Sequence, residues 1–449
     1  MKVALVKPNY HAHLITPPLG IGYVSSFLKS KDVDVFIVDG LNKNLSDEQI
    51  IDLIGDRELV GLSVLSAYYL RAKELSEKLK VAGKIVVWGG VHPSVMPQQV
   101  LEETKADYVV CGEGELTMWE LIKALEKNNI TEGIPGLYSR STQKFIPREF
   151  IQDLNSLPFP DWQALDPRTY QKAPHGALIK NFPVAPITSS RGCPYECTFC
   201  VSPKMWRRTI RFRSPKNVVD EIEYLVKEFG IKEIHFEDDN FTLKREHAFA
   251  VCEEIIRRNI KISWTTPNGI RADKVDEDLL RLMKKAGCYF VGFGIESGNQ
   301  YIMDNIKKHE KLEVVEKAIR LAHKVGLMTQ GFFIFGLPGE TKNSVEQTVK
   351  FAKSVPLDRA QFLLLDLIPG SELWEEHKNE IVYDYSKKSF QDTTWVPPTI
   401  SEPDLKAAQP YAFRKFFFRP RQIWSIVRYF KPSQLKFVLR RMRDFRVIK

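Results

Sequence analysis

Cysteine is scarce: six residues in 449, too few for a disulfide framework in a chain of this length, which points to a reducing compartment. No apolar run reaches the roughly 18 residues that a membrane-spanning helix requires. Glycine and proline, 25 and 26 residues, are neither abundant nor periodic, which excludes collagen-like and Pro/Gly-rich disordered chains. The opening Met1-Lys-Val-Ala-Leu-Val lacks the charged, apolar and cleavage regions of a signal peptide, so a cytoplasmic protein is expected. One-signed charge is also missing from most of the chain. Residues 401–449 carry 13 Lys+Arg against 3 Asp+Glu, a net of +10, whereas residues 1–400 sum to −1. A chain-wide nucleic-acid surface is therefore not expected.

What is present is alternation. Apolar runs at 3–6, 33–38, 59–65, 85–88 and 108–111 are separated by helical patterns such as 66–81 and 116–127. Alternating strands and helices predict a parallel α/β sheet with helices on both faces, its ligand crevice beyond the carboxyl ends of the strands. A Pro- and Asp-rich stretch around 147–170 follows. The alternation then resumes, with strands at 185–189, 233–237, 262–265, 289–293, 330–335 and 359–365. Six strands with helices between them predict a partial (β/α)6 TIM-type barrel with its site at the carboxyl strand ends. The expected boundaries are 1–135 for a Rossmann-like domain, 136–182 for a connector, 183–395 for the barrel and 396–449 for a basic helical segment.

Three cysteines fall in Arg191-Gly-Cys193-Pro-Tyr-Glu-Cys197-Thr-Phe-Cys200, after the first barrel strand. Three thiolates spaced C-x3-C-x2-C on one loop can hold three irons of a [4Fe–4S] cluster. With no fourth cysteine nearby, one iron stays open to a substrate group. The competing reading is a zinc site with His175 or His235 as fourth ligand, although zinc sites usually come as paired C-x2-C elements.

This loop, with aromatic Phe199 before the last cysteine, resembles the radical S-adenosylmethionine (SAM) superfamily. The resemblance implies that the open iron chelates SAM and that electron transfer cleaves it to a 5′-deoxyadenosyl radical. It also implies SAM-binding roles on successive strand ends: Phe199; Glu237, Asp238 and Asp239 at the methionine ammonium; Arg271 at the carboxylate; Glu296 and Ser297 at the ribose; and Gly336 and Pro338 along the adenine. The bland alternative makes Asp238 and Asp239 helix caps and Arg271 a surface ion pair.

The first domain lacks a G-x-G-x-x-G fingerprint, which counts against a dinucleotide. It resembles the cobalamin (B12)-binding domain of B12-dependent radical SAM proteins. The implied cobalamin-binding residues are Pro17, Leu19, Gly20, Ser63, Leu65, Gly89, Gly90, Val91, Gly112, Glu113 and Gly114. One departure stands out. Aligned on Gly20, the D-x-H-x-x-G motif that supplies a lower cobalt ligand reads Ile15-Thr-Pro-Pro-Leu-Gly20, with Pro17 at the histidine position. His11 and His13 are out of register, and His92 reads as a loop or supporting residue.

The resemblance implies an enzyme: a cobalamin-dependent radical SAM methyltransferase acting on an unactivated carbon, through a 5′-deoxyadenosyl radical and methylcobalamin. Two rivals stand beside it. One is a non-methylating oxidative cyclase or rearrangement enzyme, like the anaerobic porphyrin-ester cyclases; the other is a cobalamin-binding sensor or carrier. Expected partners are a small molecule, apolar or lipid-like, and an external electron donor. The tail adds an expectation of peripheral membrane contact through 411–449, where Lys/Arg and apolar residues fall on opposite helix faces. The competing expectation is that these faces pack on the barrel.

Overall fold

A computed structural model describes residues 1–12, 15–172, 179–386, 390–420 and 422. The chain divides into two compact units, Met1–Gln171 with Lys204–Arg207, and Lys172–Pro203 with Arg208–Lys449.

The first unit is built on a six-stranded sheet: β1 (Lys2–Lys7), β2 (Asp34–Asp39), β3 (Leu59–Ser63), β4 (Ile85–Gly89), β5 (Tyr108–Val110) and β6 (Leu137–Ser139), in the order β2-β1-β3-β4-β5-β6. The first five are parallel, and β6 runs antiparallel to β5. Near-continuous Val/Ile/Leu runs produce this, because a parallel sheet is buried on both faces. The strand order reverses between β1 and β3, and in doubly wound sheets such a switch point marks the ligand crevice.

Residues 136–171 are not a free connector. They supply β6, and Asp161 donates its amide to the Gly22 carbonyl at 3.0 Å while accepting from Ser25 Oγ at 2.7 Å and Lys29 Nζ at 2.6 Å. A Cβ on Gly22 would stand 2.8 Å from Leu165 and 2.9 Å from Pro160, so this glycine lets the segment lie on helix Leu19–Lys29. Burial of Trp162, Leu165 and Tyr170 explains why the segment folds with the unit.

The second unit carries β7 (Val184–Ile187), β8 (Ser190–Gly192), β9 (Ile210–Phe212), β10 (Glu233–Phe236), β11 (Ser263–Ile270), β12 (Cys288–Glu296), β13 (Met328–Phe335) and β14 (Arg359–Leu364). Six of these form a parallel sheet in the order β14-β13-β12-β11-β10-β7, with helices between successive strands, as the alternation predicts. The other two, β8 and β9, pair antiparallel as a separate ribbon, Ser190 opposite Phe212 and Gly192 opposite Ile210. Helix Glu402–Phe417 packs on β14. Phe413 and Phe416 are buried near the Phe362 ring, and Gln409 Nε2 donates to the Phe362 carbonyl at 2.9 Å. Within 411–417, Ala412, Phe413 and Phe416 are thus buried inside the fold, while Tyr411 and Phe417 are half-buried. Residues 423–449, the rest of the basic segment, lie outside the described residues, as do His13 and His175. No helix among the described residues is long and apolar enough to cross a membrane.

Candidate functional site

The cysteine loop hangs from the β8–β9 ribbon. Gly192 leads into Cys193, and after Cys200 the chain forms the short helix Ser202–Trp206 before returning as β9. Asp238, at the carboxyl end of β10, fixes the base of this ribbon. Its buried carboxylate accepts both Ser189 N at 3.1 Å and Ser189 Oγ at 2.7 Å, and also Ser190 Oγ. Arg213 N donates to the Ser189 carbonyl at 2.9 Å from the other side. Inside the loop, Cys200 N donates to the Cys197 carbonyl at 3.0 Å, and Thr198 is pinned through Ile306 O at 3.1 Å and Leu373 N at 3.0 Å. Phe199 packs against an apolar cluster that includes Ile302, Ile306, Leu337 and Leu373.

Cys193, Cys197 and Cys200 are free thiols that keep some solvent-accessible surface. Burial pushes Cys193 up to about 11 and Cys200 up to about 12, with charge on Asp239 and on Cys197 as smaller contributions in the same direction. Cys197 is also raised by burial, with the Lys308 ammonium as the main opposing influence. Three thiols in one another's field become thiolates together only around a cationic group. That donor set fits an iron–sulfur cluster. Among the described residues no three or more His, Cys, Asp and Glu side chains converge to hold a single ion. His175, one of the two candidate fourth ligands of a zinc site, lies outside the described residues. His235, the third residue of β10, has its Nε2 2.9 Å from Oε1 of Glu233, which opens the same strand. A cluster does not need convergence on a point, because each thiolate binds a different iron.

The other SAM-binding candidates cluster at the carboxyl strand ends, and most have protein partners. Asp239 accepts from Ser202 Oγ at 3.0 Å. It is surrounded by protein, which raises its carboxyl pKa, yet remains accessible, as a side chain lining a recess does. Asp238 is committed to the ribbon, which accounts for it better than a ligand role. Glu237 follows on β10, its amide donating to the Ile187 carbonyl at 2.8 Å. Arg271 stacks its guanidinium on the Tyr195 ring at 3.7 Å and donates to Asp273 Oδ1 at 3.0 Å and to the carbonyls of Lys308 and His309 at 2.8 and 3.3 Å. It is a buried fastening, neither the surface ion pair nor an open carboxylate receptor. Glu296 pairs with Lys308 Nζ at 2.8 Å. Ser297 is buried, 3.3 Å from Thr348 Oγ1, and accepts from Asn299 N. Gly336 has φ +91°, and its amide donates to Glu340 at 3.3 Å; Pro338 follows it, half-buried.

In the first unit the cobalamin-binding candidates lie at the carboxyl ends of β3, β4 and β5 and at the start of helix Leu19–Lys29. A Cβ on Gly90 (φ +101°) would stand 2.9 Å from the Val64 carbonyl, so only glycine fits there. Gly112 has φ +78° and donates to Ser94 Oγ at 2.9 Å. A Cβ on Gly20 would meet nothing within 4 Å, and the residue is exposed. Pro17 is buried just ahead of it; Leu19, Ser63, Gly89, Val91 and Gly114 are half-buried, and Leu65 is exposed. Glu113 behaves differently: its carboxylate accepts from Ile151 N at 2.8 Å, holding the 147–170 segment. His92 is fully buried, with Nδ1 3.0 Å from Ser66 Oγ, and burial lowers its pKa to about 4. That agrees with a supporting role.

The sequence reading missed Lys308, Glu310 and Tyr195 around the cysteine loop. It also missed the Tyr10–Tyr68 stack (centroids 4.2 Å apart) beside the β1/β3 switch point. Tyr195, between Cys193 and Cys197, and Tyr68, three residues beyond Leu65, carried a signal in principle as residues in or near the motifs, whereas nothing in the spacing of Lys308 and Glu310 separates them from surface positions.

A doubly wound domain, a partial parallel barrel and a three-thiol loop at the end of the first barrel strand define a radical SAM enzyme with a B12-binding domain. The Radical SAM superfamily model matches residues 187–352, and the B12 binding domain model matches residues 9–122. An uncharacterized methyltransferase of Pyrococcus horikoshii is 35% identical over 84% of this chain and 83% of its own. The anaerobic magnesium-protoporphyrin IX monomethyl ester cyclase of Rubrivivax gelatinosus is 32% identical over 93% of this chain and 77% of its own. The structure of the radical SAM methyltransferase TsrM from Kitasatospora setae, with cobalamin and [4Fe–4S] cluster bound, shares the fold: TM-score 0.72, 20% identity, 97% of this chain and 92% of that one. The chain belongs to the radical SAM superfamily, in the group that carries an N-terminal B12-binding domain.

Proposed function

We propose that this enzyme transfers a methyl group from SAM, by way of cobalamin, to an unactivated carbon of a small molecule. The observation that carries the reading is the set of three thiols on the β8–β9 loop, in a chain whose other unit has the B12-binding fold. When bound, the cluster, SAM and cobalamin supply the radical and methyl-carrying chemistry, while the protein positions them and excludes water.

Cys193, Cys197 and Cys200 hold the cluster in this reading. Asp239, in its recess beside Cys193 and Cys200, is suited to the SAM ammonium, with Glu237 next to it on the same strand end. Glu296, held by Lys308, faces the ribose, and the Gly336–Pro338 turn offers backbone to the adenine. Gly20, Ser63, Gly89, Gly90 and Gly112 give the corrin close backbone approach. Methyl transfer is favoured over cyclisation by the methyltransferase name carried by the Pyrococcus relative at 35% identity. The cyclase likeness keeps ring closure as the second reading.

Product analysis separates the two. A methylase yields S-adenosylhomocysteine and 5′-deoxyadenosine in equal amounts and adds one CH2 to its substrate, whereas a cyclase yields 5′-deoxyadenosine with no added carbon. A sensor yields neither. The basic residues in 423–449 support a further reading, contact with an anionic lipid surface from which an apolar substrate could be taken. Loss of vesicle co-sedimentation as salt rises checks it.

A further inference from the structure

Between helix Gln300–Asn305 and helix Leu312–Val325 the chain runs Ile306-Lys-Lys-His-Glu-Lys311. Lys307 and His309 both have φ +52°. Left-handed conformations at residues other than glycine are uncommon, and two flanking a single residue show that the surroundings dictate the path. The result is that Lys308 turns inward, 6% exposed, while His309 is exposed. A lysine is almost never buried so deeply unless it is paired.

The path is fixed from the cysteine loop and from the end of β11. Ile306 O accepts from Thr198 N, between Cys197 and Cys200. Lys308 O and His309 O accept from Arg271, which stacks on Tyr195 between Cys193 and Cys197. Glu310 Oε1 accepts from the amides of Ala272 and Asp273 at 2.8 and 3.2 Å. The Lys308 ammonium then lies 2.8 Å from Glu296 Oε1 and 3.7 Å from Glu310 Oε2. Room for this pair comes from Gly294, where a Cβ would stand 2.7 Å from Glu296 Oε1 and 3.1 Å from Lys308 Nζ. Glu296 itself has φ +66°, so its own backbone is bent to the same end.

We propose that Lys308 is a positioning residue of the cluster site: its buried ammonium holds the Glu296 carboxylate and sets a fixed positive charge beside the cysteine loop. That charge favours the uptake of one electron, delivered by a low-potential reductant, at the cluster held there; no bond or proton moves. The proposal rests on the cluster reading above.

The test is a dithionite titration, followed by electron paramagnetic resonance, of anaerobically iron- and sulfide-reconstituted full-length protein. The forms compared are wild type, Lys308→Met, Lys308→Arg, Glu296→Gln and the double variant Lys308→Met/Glu296→Gln. Lys308→Met should load iron like wild type but become at least tenfold harder to reduce, a fall of about 59 mV for one electron. Lys308→Arg should keep the wild-type potential. Glu296→Gln should shift it upward, and the double variant, with both charges gone, should return it close to wild type. A structural role alone would move iron content or folding without this signed pattern. An unchanged potential in well-loaded Lys308→Met overturns the proposal. Should Lys308→Met not fold, an unchanged potential in Glu296→Gln overturns it instead. Wild-type protein that binds no iron would defeat the cluster reading itself.

Discussion

Gly20 and Gly90 lie in the same predicted cofactor crevice, yet the fold needs them differently. Gly90 adopts φ +101° with the Val64 backbone under its missing Cβ, so Gly90→Ala should destabilise the protein by about 1–3 kcal/mol through strain and contact. Gly20 sits near the start of helix Leu19–Lys29 with nothing within 4 Å of its Cβ position. Gly20→Ala should therefore hold or raise stability, by up to about 1 kcal/mol, while cobalamin retention on gel filtration falls. Retention equal to wild type would remove Gly20 from the cofactor surface. Glu340 offers a pH test. Buried between β13 and helix Lys342–Ser354, and accepting from Gly336 N and Ser344 Oγ, its carboxyl is pushed up by burial to about 7. Native protein then binds a proton that the unfolded chain releases near 4.5. This contribution to stability is full below that value and is lost as pH rises through about 7, at up to about 1.4 kcal/mol per pH unit. Denaturant midpoints between pH 5 and 8 should show wild type losing stability relative to Glu340→Gln. Parallel curves would contradict it.

At the scale of elements, the parallel strands of both sheets were legible in the sequence because each is an apolar run buried on two faces. The antiparallel ribbon β8–β9 was not. Its strands are three residues each, too short for a period, and they pair across the seventeen-residue cysteine excursion. β6 escaped for the same reason. The cysteines were readable because their spacing is itself the signal. Asp238, Arg271, Ser297 and Glu113 were found as polar residues at strand ends, but which neighbour each would bond depends on tertiary placement. Asp238 makes the point testable. Its hydrogen bonds to Ser189 and Ser190 tie β10 to the root of the ribbon, and a hydrogen bond to a charged group contributes about 1.5–3 kcal/mol. Asp238→Ala should lower the iron bound per chain along with thermal stability. Full iron loading would show that the ribbon holds the loop without it.

For the whole molecule, the basic C-terminal segment divides at the packing boundary. Helix Glu402–Phe417 buries Leu405, Ala412, Phe413 and Phe416, and Gln422 Nε2 donates to the Leu357 carbonyl at 3.0 Å. A chain ending at Ile400 should lose that cover over β14 and become insoluble, whereas one ending at Gln422 should stay folded and keep its cofactors. A soluble, loaded 1–400 chain would contradict the packing. Everything functional in this account turns on the three thiols of the β8–β9 loop. The most direct measurement is 5′-deoxyadenosine release from SAM by anaerobically reconstituted, dithionite-reduced protein, with iron counted on the same sample. Wild type, Cys252→Ala and Cys288→Ala should bind iron and release the nucleoside, and Cys193→Ala/Cys197→Ala/Cys200→Ala should do neither. Iron retained by the triple variant, or a loaded wild type that leaves SAM intact, would contradict the account.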